Sequence, residues 1–197
     1  MELGGHAPFI VLDDADPIHA AKGASLVKFL NTGQACISPN RIFVQRGILD
    51  SFIQTFTERV AKMKAGNGLE PEVSIGPLVN HAAVEKVSRQ VEDALKKGAI
   101  LHSGGEPLSG GQYSAGHFYA PTVLSNVSED MLIYREETFG PVAAIISFDS
   151  YDQVINMAND THYGLAAYVY TENLSRAMHA FEALDFGIIG INDINPT

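Results

Sequence analysis

The stretch Phe29-Leu-Asn-Thr-Gly-Gln-Ala-Cys-Ile-Ser-Pro-Asn-Arg41 contains the single cysteine of the chain, Cys36. A helical pattern begins upstream at Asp16-Pro17, where an N-cap candidate precedes a proline at the first helical position. Downstream, Arg41-Ile-Phe-Val-Gln45 is typical of a short strand. We therefore predict that Cys36 lies in a helix-to-strand connection, where uncommitted backbone N–H groups can stabilise a thiolate or an oxyanion.

Cys36 has a second interpretation from the residues alone. A free cysteine is often buried and then behaves as a small hydrophobic side chain. The turn formers Gly33 and Pro39 on either side make a position in the middle of the core less favourable. Both interpretations of Cys36, as a nucleophile and as a structural residue, therefore stay open.

Working outward from this stretch, the spacing of apolar residues alternates between strand-like and helix-like. It predicts strands over residues 9–12, 41–45, 99–102, 120–126, 142–148, 167–170 and 188–191, and helices over 17–30, 49–66, 84–98, 151–160 and 174–184. The run 142–148 is apolar throughout, as in a strand covered on both faces. The alternation predicts an α/β fold with an open, twisted, mostly parallel sheet and helices on both faces.

Composition restricts the class of protein. The chain has 197 residues, of which 46% are hydrophobic, and this describes one globular domain with a substantial core. A formal net charge of −10 argues against nucleic acid as a partner. One cysteine cannot form an internal disulfide, and no apolar run approaches the roughly 20 residues that span a bilayer. We expect a soluble, cytoplasmic protein that does not bind membranes.

Two other kinds of site are not predicted. None of the seven histidines lies three or four residues from another, so no helix face presents two of them to a metal. The Gly- and Ser-rich segment 103–117 lacks both G-x-G-x-x-G and G-K-[ST], and we interpret it as a surface loop. A cysteine hydrolase or acyltransferase stays open, because its catalytic residues need only meet in space.

Two acidic residues are candidates for chemistry. Glu2 precedes Leu-Gly-Gly, and glycines allow the backbone to approach another segment closely. Glu137 lies in the segment ahead of the buried strand 142–148, where binding groups are common. Each could equally be a solvated carboxylate on the surface.

Three motifs together carry a resemblance to a known family. Met1-Glu-Leu-Gly-Gly5, Gly33-Gln-Ala-Cys36 and Glu136-Glu-Thr-Phe-Gly-Pro141, in this order and at these separations, resemble the catalytic domain of the NAD(P)-dependent aldehyde dehydrogenases. The similarity continues through Ala158-Asn-Asp-Thr-His-Tyr-Gly-Leu165. It implies that residues 1–197 form one catalytic domain of that type, which oxidises an aldehyde to the carboxylic acid through a cysteine thiohemiacetal and a thioester.

The resemblance also implies roles for individual residues. Cys36 is the expected nucleophile and Glu2 the expected general base, while Glu137, Phe139 and Leu3 belong to the site of the cofactor, NAD or NADP. Glu137 is expected to hold the nicotinamide ribose, and Phe139 to pack on the ring.

Within the family, Gly4-Gly-His-Ala-Pro-Phe-Ile-Val11 and Phe186-Gly-Ile-Ile-Gly-Ile-Asn-Asp193 resemble the succinate-semialdehyde dehydrogenase branch most. That branch generally has an arginine where Leu30 stands, and a leucine cannot pair with a substrate carboxylate. It often has a second cysteine where Ser38 stands, so a disulfide with Cys36 is excluded here. We therefore expect succinate semialdehyde or a related small aliphatic aldehyde as substrate.

The family pattern normally places a dinucleotide-binding domain before the residue matched by Glu2, and an oligomerisation segment after the region matched here. Residues 1–197 contain neither, so we expect a piece of a longer, homo-oligomeric protein that does not oxidise aldehydes usefully by itself. Two alternatives stay open: a cysteine hydrolase or acyltransferase that needs no nucleotide, and a non-catalytic binding or assembly domain in which Cys36 is a core residue.

Overall fold

The computed structural model describes residues 4–194. Its strands are β1 Ala7–Val11, β2 Pro39–Gln45, β3 Lys64–Ala65, β4 Val73–Ile75, β5 Ile100–Ser103, β6 Pro107–Leu108, β7 Phe118–Tyr119, β8 Thr122–Ser125, β9 Val142–Phe148, β10 Ala166–Tyr170 and β11 Ile188–Ile191. Its α-helices are α1 Pro17–Phe29, α2 Leu49–Val60, α3 His81–Lys96, α4 Leu132–Arg135, α5 Tyr151–Asn159 and α6 Leu174–Ala183.

The helices begin where side chains can accept hydrogen bonds from their first free N–H groups. The Asp16 carboxylate accepts from Ile18 N at 2.9 Å at the start of α1. At α3 the Asn80 side chain accepts from Ala83 N at 2.9 Å. The second cap starts α3 three residues before Val84, the first apolar residue of the predicted periodic pattern.

The main sheet has seven strands in the order β11-β10-β1-β2-β9-β8-β5. All neighbouring pairs from β11 to β8 are parallel, and the edge strand β5 is antiparallel to β8. This confirms the predicted α/β fold with a mostly parallel sheet.

Two apolar cores lie on opposite faces of the sheet. Helices α1 and α2 pack on one face, where they cover Phe9 and Val11 of β1. Helices α3 to α6 pack on the other face and cover Ile10 of the same strand. Alternate residues of β1 therefore enter different cores, which is why the strand is apolar throughout.

The structure corrects one predicted boundary and adds short elements. Helix α2 ends at Val60 and not at Gly66, because Lys64–Ala65 pairs with Val73–Ile75 as a separate two-stranded sheet. A second small sheet joins β6 to β7 inside the predicted surface loop. In the described part of the chain, no helix combines the length and apolar character needed to cross a membrane.

Strands β10, β1, β2 and β9 are consecutive in the sheet and parallel, so their first residues all lie at one edge. We call this the amino edge and define it by the segments that precede the four strands: residues 161–165, 4–6, 34–38 and 136–141. The carboxyl edge comprises the segments that follow them: residues 171–173, 12–16, 46–48 and 149–150. All three predicted sequence motifs lie at the amino edge as far as the structure describes them.

Candidate active site

The residues between α1 and β2 form a tight loop, residues 30–38, which we call the nucleophile loop. It opens with a single 3-10 turn in which three consecutive residues have positive φ angles: Asn31 at 49°, Thr32 at 62° and Gly33 at 75°. A β-branched residue such as Thr32 rarely adopts this conformation, so the loop needs support from other parts of the chain.

A segment far along the chain supplies this support. The Thr32 hydroxyl accepts a hydrogen bond from Gly76 N at 2.9 Å and lies 3.3 Å from the Gly76 carbonyl. The Gln34 side chain donates to Pro77 O at 3.2 Å and accepts from Val79 N at 2.9 Å. Residues 76–79 thereby hold the nucleophile loop in its left-handed shape.

Cys36 is half-buried, and its thiol is free. Its backbone N–H has no acceptor among residues 4–194, although the turn around it is closed by the bond from Ser38 N to Ala35 O at 3.0 Å. On the far side, the Tyr168 hydroxyl donates to Ile37 O at 3.0 Å. Burial, with a smaller contribution from Cys36, raises the pKa of Tyr168, so this hydroxyl stays protonated and remains a donor.

Glycines let three segments of the amino edge touch. A Cβ atom on Gly5 would lie 1.8 Å from the Cys36 carbonyl oxygen. A Cβ atom on Gly33 would lie 2.2 Å from the Gly140 carbonyl oxygen. Only glycine permits both approaches, which join the nucleophile loop to the segments before β1 and β9.

Glu137 lies at the junction of these segments. One of its carboxylate oxygens, Oε1, accepts from Gly5 N at 2.8 Å. The other, Oε2, has no hydrogen-bond partner among the described residues and lies beside Gly4, where a Cβ would approach it to 3.0 Å. The half-buried carboxylate therefore keeps one oxygen available next to a cavity of about 440 Å³, which is lined by Gly4, His162, Tyr163, Gly164 and Leu165.

Phe139 is held in an unusual backbone conformation. Its φ angle is 53°, although it is a bulky residue, while Thr138 and Gly140 on either side are buried. Such strain persists only where the surroundings impose it, and it is typical of binding sites. Phe139, half-buried, thus lies in a strained backbone two residues from Glu137.

His6, the residue after Gly5, is buried. Its Nε2 is 2.7 Å from the Tyr134 carbonyl, which makes Nε2 the protonated nitrogen, and Nδ1 has no partner in the described part of the chain. Burial, assisted by the Arg41 guanidinium, lowers the pKa of His6 to about 3. Arg41 is itself buried and donates to the carbonyls of Met157, Ala158 and His6.

Comparison with known proteins assigns the chain to a family. The model of the aldehyde dehydrogenase family matches residues 1–197. The chain belongs to the aldehyde dehydrogenase family. A probable succinate-semialdehyde dehydrogenase [NADP(+)] of Sinorhizobium fredii is 50% identical over 191 residues, which cover 97% of this chain and 38% of that protein. A non-phosphorylating aspartate-semialdehyde dehydrogenase of Halomonas elongata is 47% identical over 197 residues, or 39% of its length.

Solved aldehyde dehydrogenase structures share the fold. The crystal structure of succinate-semialdehyde dehydrogenase from Burkholderia pseudomallei superposes with a TM-score of 0.94 at 45% identity, over 98% of this chain and 39% of that one. The chain thus spans about two fifths of the length of the relatives it matches.

The structure brings together some of the residues predicted for this aldehyde dehydrogenase domain. Cys36, Glu137 and Phe139 all lie at the amino edge, and Gly5 contacts both Glu137 and the Cys36 carbonyl. Glu2 and Leu3 lie outside the described residues, just before Gly4, and their roles stay predictions. No histidine is hydrogen-bonded to Cys36 within residues 4–194, and no cluster of metal-binding side chains occurs there.

The residues that support the nucleophile loop are not evident from the sequence. There, Gln34 stands only within a motif and Tyr168 only within a predicted strand. Their hydrogen bonds join segments more than 40 residues apart, and no local pattern reports such a contact. A polar tip on an otherwise apolar strand, as at Tyr168, is the one signal available.

Proposed function

We propose that this chain is the nucleophile-bearing catalytic domain of an enzyme that oxidises a small aliphatic aldehyde to its carboxylic acid with NAD(P). The observation that carries the proposal is the convergence of the Cys36 loop, the Gly4–Gly5 backbone and Glu137 at one edge of the sheet. Membership of the aldehyde dehydrogenase family supports the class of reaction.

In the first step the Cys36 thiolate attacks the aldehyde carbon and forms a tetrahedral thiohemiacetal. The negative charge that develops on oxygen needs preorganised donors. The Cys36 backbone N–H suits this role because it has no acceptor among residues 4–194 and lies in a loop fixed on both sides.

The residues before β9 suit a nicotinamide cofactor. The Glu137 oxygen that has no partner in the described chain can accept from a ribose hydroxyl, and Gly4 leaves open the space beside it. The half-buried Phe139, in its strained backbone, offers an aromatic face for packing. NAD(P), when bound there, supplies an acceptor for the hydride that leaves the thiohemiacetal carbon.

Loss of hydride leaves a thioester on Cys36. We assign its hydrolysis to water deprotonated by Glu2, which precedes the Gly4–Gly5 backbone that contacts Cys36. Attack of this water on the thioester carbon expels the thiolate and releases the acid. The cysteine is thereby regenerated for a second turnover.

The proposed substrate is succinate semialdehyde or a related small aliphatic aldehyde. Two relatives are named for semialdehydes that carry a carboxylate, and one of these names includes NADP(+). Leu30 provides no charge for such a carboxylate, and its side chain is exposed six residues before Cys36. We therefore propose that uncharged aliphatic aldehydes are accepted at least as well.

The whole-protein properties are also proposals. We propose that residues 1–197 act with a dinucleotide-binding domain, in a cytoplasmic homo-oligomer, and that they do not oxidise aldehydes at a useful rate alone. Steady reduction of NAD(P) by the isolated chain would contradict the last point.

Acylation of Cys36 tests the nucleophile and the base without any nucleotide. We expect p-nitrophenyl acetate to add one acetyl group, detected by intact mass, and Cys36→Ala to abolish the addition. In Glu2→Gln the thioester should persist at least about tenfold longer, because the water is no longer deprotonated. Acylation that survives in Cys36→Ala would reject Cys36 as the nucleophile.

Substrate choice is tested at Leu30 in a protein that contains the whole chain and a dinucleotide-binding domain. Leu30→Arg should lower the KM for succinate semialdehyde about tenfold, because a charge-assisted hydrogen bond becomes possible, and should leave the KM for propanal unchanged. An equal change for both aldehydes would show that Leu30 does not face the substrate carboxylate.

A further inference from the structure

A lysine is buried beneath the nucleophile loop. Lys28, in the last turn of α1, is completely inaccessible to solvent. Its ammonium nitrogen Nζ donates to Asn40 Oδ1 at 3.0 Å and to Ser38 Oγ at 3.3 Å. The Ser38 hydroxyl in turn donates to the Lys28 carbonyl at 3.2 Å. Lys28 therefore connects Ser38, two residues after Cys36, to the helix that precedes Cys36.

Burial of this charge is expensive. Neither hydrogen-bond partner is charged, and no carboxylate within residues 4–194 forms an ion pair with Lys28. Burial lowers the pKa of Lys28 to about 7, and the Glu137 carboxylate opposes part of this effect. An apolar residue of the same size would pack here at lower cost, so stability does not account for the lysine.

Through Asn40, Lys28 is also connected to the segment that contacts Glu137. The amide of Asn40, whose oxygen accepts from Lys28, donates through Nδ2 to the Gly5 carbonyl at 3.3 Å. On the other side of that residue, Gly5 N donates to Glu137 Oε1 at 2.8 Å. A continuous series of hydrogen bonds thus connects Lys28 to the carboxylate assigned to the cofactor.

We propose that Lys28 is a positioning residue for the proposed reaction: its buried side chain closes the nucleophile loop from beneath and, through Asn40 and Gly5, orients Glu137. This inference rests on the proposed function. The loop carries Cys36, the Gly5 backbone touches the Cys36 carbonyl, and Glu137 accepts from Gly5. One side chain thereby fixes the relative placement of the nucleophile and the cofactor site.

The effect of Lys28 should depend on pH, because a protonated amine donates more strongly than a neutral one. The other titratable or charged groups near this region are Cys36 in the loop, Tyr168 on β10, Glu137 before β9, His6 before β1 and Arg41 on β2. Among them, His6 stays neutral above pH 5, because its pKa is lowered to about 3.

The test compares Lys28→Met with a matched control on the same helix, Ser25→Ala. Ser25 is also buried and makes two hydrogen bonds, to Lys22 O and from Arg59 Nε, and neither partner belongs to the nucleophile loop. The rate constant for alkylation of Cys36 by iodoacetamide is measured by intact mass at pH 6 and pH 9, in folded protein that contains all 197 residues. Circular dichroism checks folding.

We expect Lys28→Met to slow alkylation about tenfold at pH 6 and clearly less at pH 9, where the native amine is largely neutral. Ser25→Ala should stay within about twofold of the unmodified chain at both values. A structural role alone would not produce a loss that changes with pH. Equal rates for Lys28→Met and the control would overturn the proposal.

A second variant guards against a folding failure of Lys28→Met. Asn40→Asp places a carboxylate next to the ammonium and should move the pH inflection of the alkylation rate upward, and an inflection unchanged by this variant would overturn the proposal. The proposed function is separated by acylation: if the unmodified chain accepts acetyl on Cys36 while Lys28→Met alkylates normally, only the role of Lys28 fails. A chain whose Cys36 takes no acetyl would overturn both.

Discussion

The polar groups at the two edges of the parallel sheet differ in whether they have partners. At the carboxyl edge they are exposed and satisfy one another. Arg176 bridges to Asp13 at 2.7 Å and to Asp14 at 3.3 Å. Arg46 pairs with Asp149 at 2.6 Å. Ion pairs thereby close the segments after β1, β2 and β9. The segment after β10 is joined by a hydrogen bond from the Thr171 hydroxyl to Asp14 at 2.7 Å.

The amino edge instead keeps groups available. Within the described residues, the Cys36 N–H, one Glu137 oxygen and His6 Nδ1 have no hydrogen-bond partner. Next to this edge, in the last turn of α1, Lys28 is buried with uncharged hydrogen-bond partners. Open α/β sheets usually bind ligands at the carboxyl ends of their strands. In this chain the edge with unsatisfied groups is the other one, and the proposed site therefore follows the unsatisfied groups and not the strand direction.

The largest expected effect concerns His6. Its pKa is lowered to about 3 in the folded chain, from 6.5 for an ordinary histidine, so the unfolded chain binds one more proton between these values. The free energy of unfolding should therefore fall as the pH falls from 6.5 to 3, by about 1.4 kcal/mol per pH unit. Denaturant unfolding at several pH values measures it. A slope that persists unchanged in His6→Gln would show that other groups are responsible.

The second prediction compares one glycine from each edge. Gly5→Ala should reduce acylation of Cys36 by about 10²-fold, because the new Cβ would lie 1.8 Å from the Cys36 carbonyl and the backbone must shift. Gly47→Ala at the carboxyl edge is the matched control, since its Cβ would meet nothing closer than Asp13 at 3.9 Å. Similar losses in both variants would remove the distinction between the edges.

The smallest effect is expected at the carboxyl edge. Arg46 and Asp149 are each 62% exposed, so their ion pair contributes little and salt screens it. Arg46→Ala should lower the melting temperature slightly at low salt, not at all at 1 M salt, and should leave acylation of Cys36 unchanged. A loss of acylation in this variant would connect the carboxyl edge to the chemistry.

Much of the fold was predictable because it depends on local patterns. Asp16-Pro17 marks the start of α1 through a cap and a fixed φ angle. Val142–Phe148 is apolar throughout because both of its faces are covered. The end of α2 was predicted wrongly, since pairing between Lys64–Ala65 and Val73–Ile75 overrides the helical spacing. A strand of two residues is too short to leave a periodic signal.

The candidate site was only partly predictable. Cys36 and Glu137 stand in recognisable motifs, but the sequence does not reveal that Gly5 touches both of their segments, because this follows from the order of strands in the sheet. The sequence of α1 gives no sign that Lys28 is buried, because a lysine in a helix is ordinarily exposed to solvent. Its burial results from the loop folding back over it.

The left-handed residues Asn31, Thr32 and Gly33 limit whether the Cys36 loop could be moved into another protein. Their conformation costs about 1–3 kcal/mol for a non-glycine residue and is supported by Gly76, 44 residues from Thr32. A peptide with the sequence of residues 29–41 would lack that support and would not keep this shape. The loop around Cys36 is therefore not a portable linear motif, and a graft into another scaffold would need residues 76–79 as well.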